Sequence, residues 1–166
     1  MASIKIDGLE AYQKQLEALG NDITSILKRG VYDGADVVAD AVRSSLSSLP
    51  VSDDVEAIRA YREGRPGPLT SKQKVGLLRG LGLAKMQNSD GFVSTKLSFA
   101  GYNDVKTKKF PKGQPNIMIA ASIENGTSAS KRQPFMRTAV NKVKAASKAA
   151  MEATVTSDIE NIMEGK

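Results

Sequence analysis

Residues 23–46, ITSILKRGVYDGADVVADAVRSSL, set the main axis of the fold. Apolar residues recur there at about 3.6-residue spacing, so the stretch predicts an amphipathic helix from about residue 22 to residue 49. Asn21 is the expected cap and Pro50 the expected stop. The apolar stripe comprises Ile23, Leu27, Val31, Val38, Val42 and Leu46, widened by Ile26, Val37 and Ala41.

Two glycines four residues apart interrupt this helix. Each costs about 1 kcal/mol relative to alanine in a helix interior. Gly30 and Gly34 lie on one side of the helix, where a second backbone could approach closely. The alternative, that the helix merely tolerates both glycines, fits the sequence equally well.

Further helices are expected on both sides of this one. Residues 7–19 predict a short helix with Asp7 as its cap and Gly20 as its end. Pro134 suits the first turn of a last helix that runs towards the C-terminus. The apolar face of that helix comprises Met136, Val140, Val143, Ala150, Val155, Ile159 and Ile162.

The middle of the chain mixes turns with short elements. Residues 50–61 predict a short helix capped by Ser52 or Asp53, and the turn-rich residues 62–74, REGRPGPLTSKQK, predict an exposed, mobile loop. NSDG at residues 88–91 predicts the turn of a β-hairpin over about residues 81–102. A second basic excursion follows, read as either a loop or an extended hairpin tip.

Residues 116–125 fit either a buried strand or a short helix, and length and alanine content favour a helix capped by Asn116. Together the patterns predict an α+β fold, in which a small antiparallel β-sheet packs against a long N-terminal helix and a long C-terminal helix. We expect a single domain over residues 1–166, with exposed loops at about residues 50–74 and 103–114.

Composition restricts the possible functions. Only 5% of the 166 residues are aromatic and none is Trp, so the core is thin and would gain stability from a partner. The absence of Cys excludes disulfides and thiolate metal sites. We find no signal-peptide pattern and no apolar run of membrane-spanning length, so we expect a soluble protein made in a cytoplasm.

Charge is distributed unevenly along the chain. The net charge of +6 divides into −4 over residues 1–61, +8 over residues 62–112 and +2 over residues 113–166. A basic middle third suits a polyanion or an acidic protein surface. It suits a merely solubilising surface equally well.

The usual signs of catalysis are missing. Without His there is no Ser-His-Asp or Cys-His system, and no phosphate-binding loop is present. Asp33, Asp36 and Asp40 recur at helical spacing, which favours the wet side of a helix over a metal site. Ser-x-x-Lys occurs three times, which leaves a Ser-Lys hydrolase as a weak alternative. We therefore expect neither an enzyme nor a bound cofactor or metal.

Four motifs in order carry a resemblance to a known family. They are IKIDGLEAYQKQLEALG at residues 4–20, the helix at 23–46, VGLLRGLGLAKM at 75–86 and IENGTSASKRQPFMRTAV at 123–140. The chain resembles the tail-completion, or head–tail joining, proteins of long-tailed bacteriophages, often described as minor tail components. It departs from them in a longer insertion at residues 50–72 and in Thr138, where a proline is common.

The resemblance implies a structural virion protein of the phage neck. Such a protein forms a ring when assembled, with a hexamer as the implied assembly, and the isolated chain is either a monomer or already associated. Its partners would be the head-connector protein and the tail-tube or tail-terminator protein, with non-specific contact to transiting DNA and none to a membrane. It would reside in the virion, and in the host cytoplasm during assembly. A non-specific DNA-binding basic protein is the alternative from another class.

Residues 122–140 hold the main candidate interface. Gly126 allows a tight turn, Thr127 and Ser128 can bond local backbone, and Pro134 fixes the helix entry. Phe135 is either a core residue, which we favour, or an apolar anchor at an interface. Glu124 is expected to pair with Lys131, Arg132 or Arg137, within the chain or across a subunit boundary.

Two basic loops are the candidate docking surfaces for connector proteins or DNA. Their positive side chains would meet acidic surfaces or phosphate groups. The candidates are Arg62, Arg65, Lys72 and Lys74 in the first loop, and Lys106, Lys108, Lys109 and Lys112 in the second.

Overall fold

The computed structural model describes residues 9–104, 106 and 109–164. Two long helices pack together beside three short helices and a small antiparallel β ribbon, so the predicted α+β fold is confirmed. The helices are α1 (Leu9–Ser48), α2 (Asp54–Arg62), α3 (Ser71–Gly80), α4 (Asn116–Asn125) and α5 (Met136–Met163). The strands are β1 (Leu81–Leu83), β2 (Gln87–Ser89), β3 (Phe92–Ser94) and β4 (Leu97–Phe99).

The N-terminal helix α1 is one element of 40 residues rather than two helices. The predictions that Gly20 ends a first helix and that Asn21 caps a second are therefore wrong, and Asp7 lies outside the described residues. Breaking the helix would leave backbone groups unpaired at two new ends, which costs more than one interior glycine. Near the start of α1, Gln15 Nε2 donates to the Met163 carbonyl of α5 at 2.7 Å, which ties this part to the second long helix.

Helices α1 and α5 run antiparallel in close contact. At Gly30, an added Cβ would lie 2.6 Å from Val155 Cγ2, and at Gly34 it would overlap the Met151 side chain. Ser147 of α5 is buried, and its Oγ donates to the Gly34 carbonyl at 2.7 Å. The interpretation of the two glycines as a place of close approach is thus confirmed, and α5 is the helix that approaches.

The main core lies at one end of this helix pair. Phe99 and Phe135 pack edge to face with ring centroids 5.9 Å apart. The buried cluster around them comprises Val42, Leu46, Leu69, Leu77, Leu81, Ile119, Ala120, Ile123 and Ala139. We call residues 38–143 the head, because they contain this whole cluster. The rest of the pair, residues 9–37 of α1 and 144–164, is the arm.

The predicted β-hairpin is confirmed as a ribbon of two short antiparallel pairs. Leu81 lies opposite Phe99 in the β1–β4 pair, and Ser89 lies opposite Phe92 in the β2–β3 pair. Asp90 and Gly91 form the turn with positive φ angles of 52° and 80°, as the NSDG motif predicts. The buried faces of Leu81 and Phe99 anchor the ribbon in the head.

Side-chain caps fix the segment between α1 and the ribbon. The Asp53 carboxylate accepts from the Glu56 N–H at 2.8 Å and so caps α2, as expected. Thr70 and Gln73 form a capping box at the start of α3. The predicted loop is therefore too long, because α3 begins at Ser71, and Leu69 and Thr70 are buried rather than exposed.

Helix α4 forms where the sequence favoured a helix over a strand. The predicted cap is wrong, because Pro115 occupies the cap position and Asn116 is the first helical residue. Asn116 is buried, and its Nδ2 donates to the carbonyls of Gly76 at 3.1 Å and Ala100 at 2.8 Å. Its amide thus joins α3 and the end of β4 to α4, a contact that no local pattern announces.

Candidate functional site

A buried carboxylate of α4 caps the start of the C-terminal helix, α5. Glu124 Oε2 accepts from the backbone N–H groups of Phe135 at 2.8 Å and Met136 at 2.9 Å, and Oε1 accepts from that of Arg137 at 3.0 Å. In the part of the chain that the structure describes, Glu124 has no ion pair with a basic side chain. The predicted pairing with Lys131, Arg132 or Arg137 is replaced by a cap on the first turn of α5.

The environment of Glu124 holds its carboxylate ionised at neutral pH. Burial by itself raises the pKa of Glu124, but the three donated backbone hydrogen bonds and the nearby positive charge of Arg137 outweigh that effect. The net result is a pKa below the ordinary value of 4.5. The negative charge also lies where the dipole of α5 has its positive end, which stabilises the helix.

Pro134 and Phe135 directly precede α5, and they have different environments. Phe135 is fully buried against Phe99, so it is a core residue, as favoured, and its candidate role as an interface anchor is wrong. Pro134 is exposed and lies two residues before the first helical residue, Met136, rather than in the first turn. Proline has no backbone N–H, so Pro134 could not be one of the donors to Glu124. It directly precedes the three residues whose N–H groups Glu124 accepts from.

Residues 126–133 form a compact turn that we call the docking loop. Gly126 has a positive φ angle of 76°, consistent with the expected tight turn, and a Cβ there would lie 2.8 Å from Arg132 Cβ. Thr127 Oγ1 accepts from the N–H groups of Ala129 at 3.2 Å and Ser130 at 3.0 Å, which confirms the expected bonding to local backbone for Thr127. Ser128 is exposed at the outside of this turn.

The docking loop rests on the first basic loop, a contact that the sequence did not predict. The Gly67 N–H donates to the Ala129 carbonyl at 2.9 Å, and the Lys131 N–H donates to the Gly67 carbonyl at 2.8 Å. Behind it, the Gln133 N–H donates to the Ile123 carbonyl at 2.8 Å. The backbone of the docking loop is therefore fixed at several points.

Four polar side chains of the docking loop, in contrast, are exposed. They are those of Thr127, Ser128, Lys131 and Arg132. Among the described residues, neither Lys131 nor Arg132 forms an ion pair. The loop thus presents two uncommitted positive charges on a fixed backbone.

Three of the four candidate cations of the first basic loop are engaged within the chain. Arg65 donates to Glu56 and Glu63, both at 2.6 Å, and these bonds raise the pKa of its guanidinium. Lys72 pairs with Asp54 at 2.5 Å, which raises the pKa of its amine.

The other two candidates differ from each other. Lys74 Nζ donates to the carbonyls of Ser47 at 2.5 Å and Leu49 at 2.8 Å, where α1 ends. Arg62 is exposed in the last turn of α2. Only Arg62 among the four therefore presents its charge without an internal partner in the described ranges.

The second basic loop is closed at its base. The Asn103 N–H donates to the Gln114 carbonyl at 2.8 Å, and the Asn116 N–H donates to the Gly101 carbonyl at 3.0 Å. Lys106, Lys109 and Lys112 are exposed, with Lys109 Nζ 5.8 Å from the Phe110 ring centroid. Lys108 lies outside the described residues. The three described lysines of this loop are thus presented to solvent, as the sequence predicts.

An apolar groove lies between α4 and α5, and sequence reasoning missed it. It has a volume of about 450 Å³. Ile117 and Ala121, four residues apart on α4, were the available signal, because they lie on one helix face. The groove is lined by Ile117, Ala120, Ala121, Glu124, Asn125, Met136, Arg137, Val140 and Asn141.

The aspartates of α1 lie on its wet side, as the sequence favoured. Asp33, Asp36 and Asp40 are exposed, and Asp33 Oδ2 accepts from Thr154 Oγ1 at 2.6 Å. Within the described ranges, no three His, Cys, Asp or Glu side chains are grouped so that they could hold a metal ion. Among the helices in those ranges, none combines the length and the apolar character that crossing a membrane requires.

Comparisons with known proteins identify no relative of this chain. No family model matches the sequence, and no curated protein or solved structure matches it either.

Proposed function

We propose that this chain is a structural protein of the phage neck that joins the head connector to the tail, and that it works by docking and ring-type self-association without catalysis. The supporting observation is the docking loop, residues 126–133, whose backbone is fixed while Thr127, Ser128, Lys131 and Arg132 are exposed. This loop is also the most distinctive motif in the resemblance to tail-completion proteins.

A loop of this kind suits docking because its shape is set before a partner arrives. Ordering a flexible segment on binding costs free energy, and a fixed backbone avoids much of that cost. The bonds from Gly67 to Ala129 and Lys131 hold the outer part of the loop, and the bond from Gln133 to Ile123 holds its base. A partner would therefore meet a preformed surface.

The charges of the loop indicate the chemistry of the partner surface. Lys131 and Arg132 are exposed and free of internal ion pairs among the described residues. Such cations favour an acidic protein surface, mainly by speeding and orienting the encounter. We assign this role to the head-connector and tail-tube or tail-terminator proteins, in an assembly for which a hexamer is the proposed form.

The test is complex formation with neck proteins. The purified chain is mixed with connector and tail-tube proteins and analysed by size-exclusion chromatography with light scattering. We expect the wild type to enter a complex, and Lys131→Glu with Arg132→Glu to lose it. Lys85→Glu with Lys96→Glu, an equal charge change at exposed ribbon positions, serves as the control and should still bind. A wild type that stays monomeric with both partners present contradicts the proposal.

A second candidate function is non-specific DNA binding, favoured by the closed second basic loop. Lys106, Lys109 and Lys112 are exposed there and form no ion pair in the described ranges. Binding to duplex DNA should then weaken steeply between about 50 and 200 mM salt, because each phosphate contact releases counterions. Absence of binding at the lower salt concentration would exclude this function.

A further inference from the structure

The charges of α5 are divided between its two halves. Residues 136–148, the basic half, carry Arg137, Lys142, Lys144 and Lys148 and no acidic residue. Residues 149–163 carry Glu152, Asp158 and Glu160 and no basic residue, and Glu164 follows at the cap. The helix has no acidic side chain in its first turn and no basic side chain in its last turn.

This order opposes the dipole of the helix. A helix dipole favours anions at the N-terminus and cations at the C-terminus, so both ends of α5 carry charges of the unfavourable sign. At the N-terminal end, Glu124 offsets the mismatch from α4, outside the helix itself. The dipole of α5 therefore does not explain the division of charge, and only part of the acidic half is paired among the described residues, Asp158 with Arg29 and Glu152 with Lys148.

The end of the arm is acidic and carries exposed apolar side chains. We define the outer arm as residues 9–24 and 149–164, which hold seven acidic residues and one basic residue. Tyr12, Leu16 and Ile23 are 51%, 46% and 40% exposed there. Their spacing of four and seven residues places them along one side of α1.

The basic half of α5 borders the apolar groove of the head. Arg137 and Val140 line the groove, and Lys144 follows them at helical spacing on the same side of α5. Ile117 and Val140 are exposed in the groove, and so is Lys144 beside it. Lys144 forms no ion pair in the described part of the chain.

We infer that the groove between α4 and α5, together with the basic half of α5, receives the acidic outer arm of a second copy of this chain. The inference rests on the proposed function, since it names the surfaces that its self-association uses. Opposite charges and two exposed apolar surfaces match across the contact.

The arm of the same chain cannot occupy this groove. Val140 and Asp158 are 18 residues apart on one continuous helix, which separates them by about 27 Å at about 1.5 Å per residue. The start of α1 lies at that far end too, because Gln15 contacts Met163. A second copy is therefore required. Each copy carries one groove and one outer arm, so the contact can repeat from copy to copy and closes into a ring where the rotation permits.

Paired charge reversals test the contact. The groove variant is Lys144→Glu, and the outer-arm variant is Asp22→Lys with Glu160→Lys. All three side chains are exposed, and none has an ion pair in the described ranges. The control is Lys96→Glu at an exposed ribbon position, whose charge change equals that of the groove variant. Sedimentation velocity at about 20 mM salt, where screening is weak, reports association up to about 1 mM protein.

We expect the wild type and the control to associate, and each charge variant to associate at least tenfold more weakly. An equimolar mixture of the groove and outer-arm variants should regain association, because the reversed charges match again. Ile117→Gln should weaken association through the apolar part alone. Thermal melting of every variant checks that it is folded.

Three results would overturn the inference: a wild type that stays monomeric over this range, charge variants that associate like the wild type, or a mixture that does not recover. None of them removes the proposed function, which is tested separately with the connector and tail proteins and the Lys131 and Arg132 variants. A chain that fails here and still binds those proteins loses only the copy-to-copy contact.

Discussion

The head and the arm are stabilised in different ways. In the head, large side chains such as Phe99 and Phe135 pack into a buried cluster, and polar groups such as Glu124 and Asn116 tie separate elements together. In the arm, two helices meet through small residues, with Gly30 and Gly34 facing α5. The head therefore depends on filled volume and on polar side chains that join its elements, and the arm on how closely two backbones approach.

Phe135→Ala should have the largest effect, because it removes the ring at the centre of the head. The expected loss is about 3–5 kcal/mol in the free energy of unfolding, from lost burial and the cavity left behind. Phe92→Ala, at a ribbon position that is 73% exposed, is the control and should stay within about 0.5 kcal/mol. Chemical denaturation measures both. A folded Phe135→Ala protein of near wild-type stability would contradict the description of the head core.

Glu124→Gln should follow, since it weakens three hydrogen bonds to a charged acceptor at the start of α5. We expect a loss of about 1.5–3 kcal/mol at pH 7. Glu160→Gln, at an exposed position of the arm, should change stability little. Denaturant midpoints compare the two variants. Equal losses of stability would contradict a stabilising role for the Glu124 cap.

The pH dependence of Glu124 provides a separate test. The pKa of Glu124 is lower in the folded chain than its ordinary value of 4.5. Its contribution is therefore fully present well above pH 4.5 and is lost as the pH falls through the folded pKa. The stability difference between the wild type and Glu124→Gln should shrink over that acidic range. A difference that stays constant from pH 7 down to about pH 3 would contradict the assigned cap.

Substitutions of the arm glycines should change the stability of the protein less. The sign of the change should depend on whether the new Cβ meets a neighbouring atom. Gly34→Ala places a Cβ against Met151 and 2.9 Å from the Ser147 carbonyl oxygen, so α1 and α5 must separate. That strain exceeds the gain in helix propensity, and we expect a loss of about 1–2 kcal/mol. Gly20→Ala is the matched control, with nothing within 4 Å of the new Cβ, and should gain about 1 kcal/mol. Thermal melts separate them, and equal shifts would show that the helices do not meet closely at Gly34.

Local patterns predicted most of the elements. The NSDG turn, the Asp53 cap and the helix at residues 116–125 depend on neighbours a few residues away, and all three form as predicted. Gly20 shows where local patterns fail. Whether it ends a helix depends on whether α5 packs alongside α1. The site shows the same limit, since the contact between Gly67 and Ala129 joins residues that are distant along the chain.

The sequence by itself determined the two long amphipathic helices, the ribbon turn and the α+β class, because periodicity and turn chemistry act over short distances. Only the tertiary structure decided that α1 is continuous, that Glu124 caps α5 and that the docking loop rests on the first basic loop. A buried carboxylate requires partners for its charge, and the nearest unpaired donors were the backbone groups at the start of α5. No spacing in the sequence reveals that pairing, since it exists only after the two helices have packed.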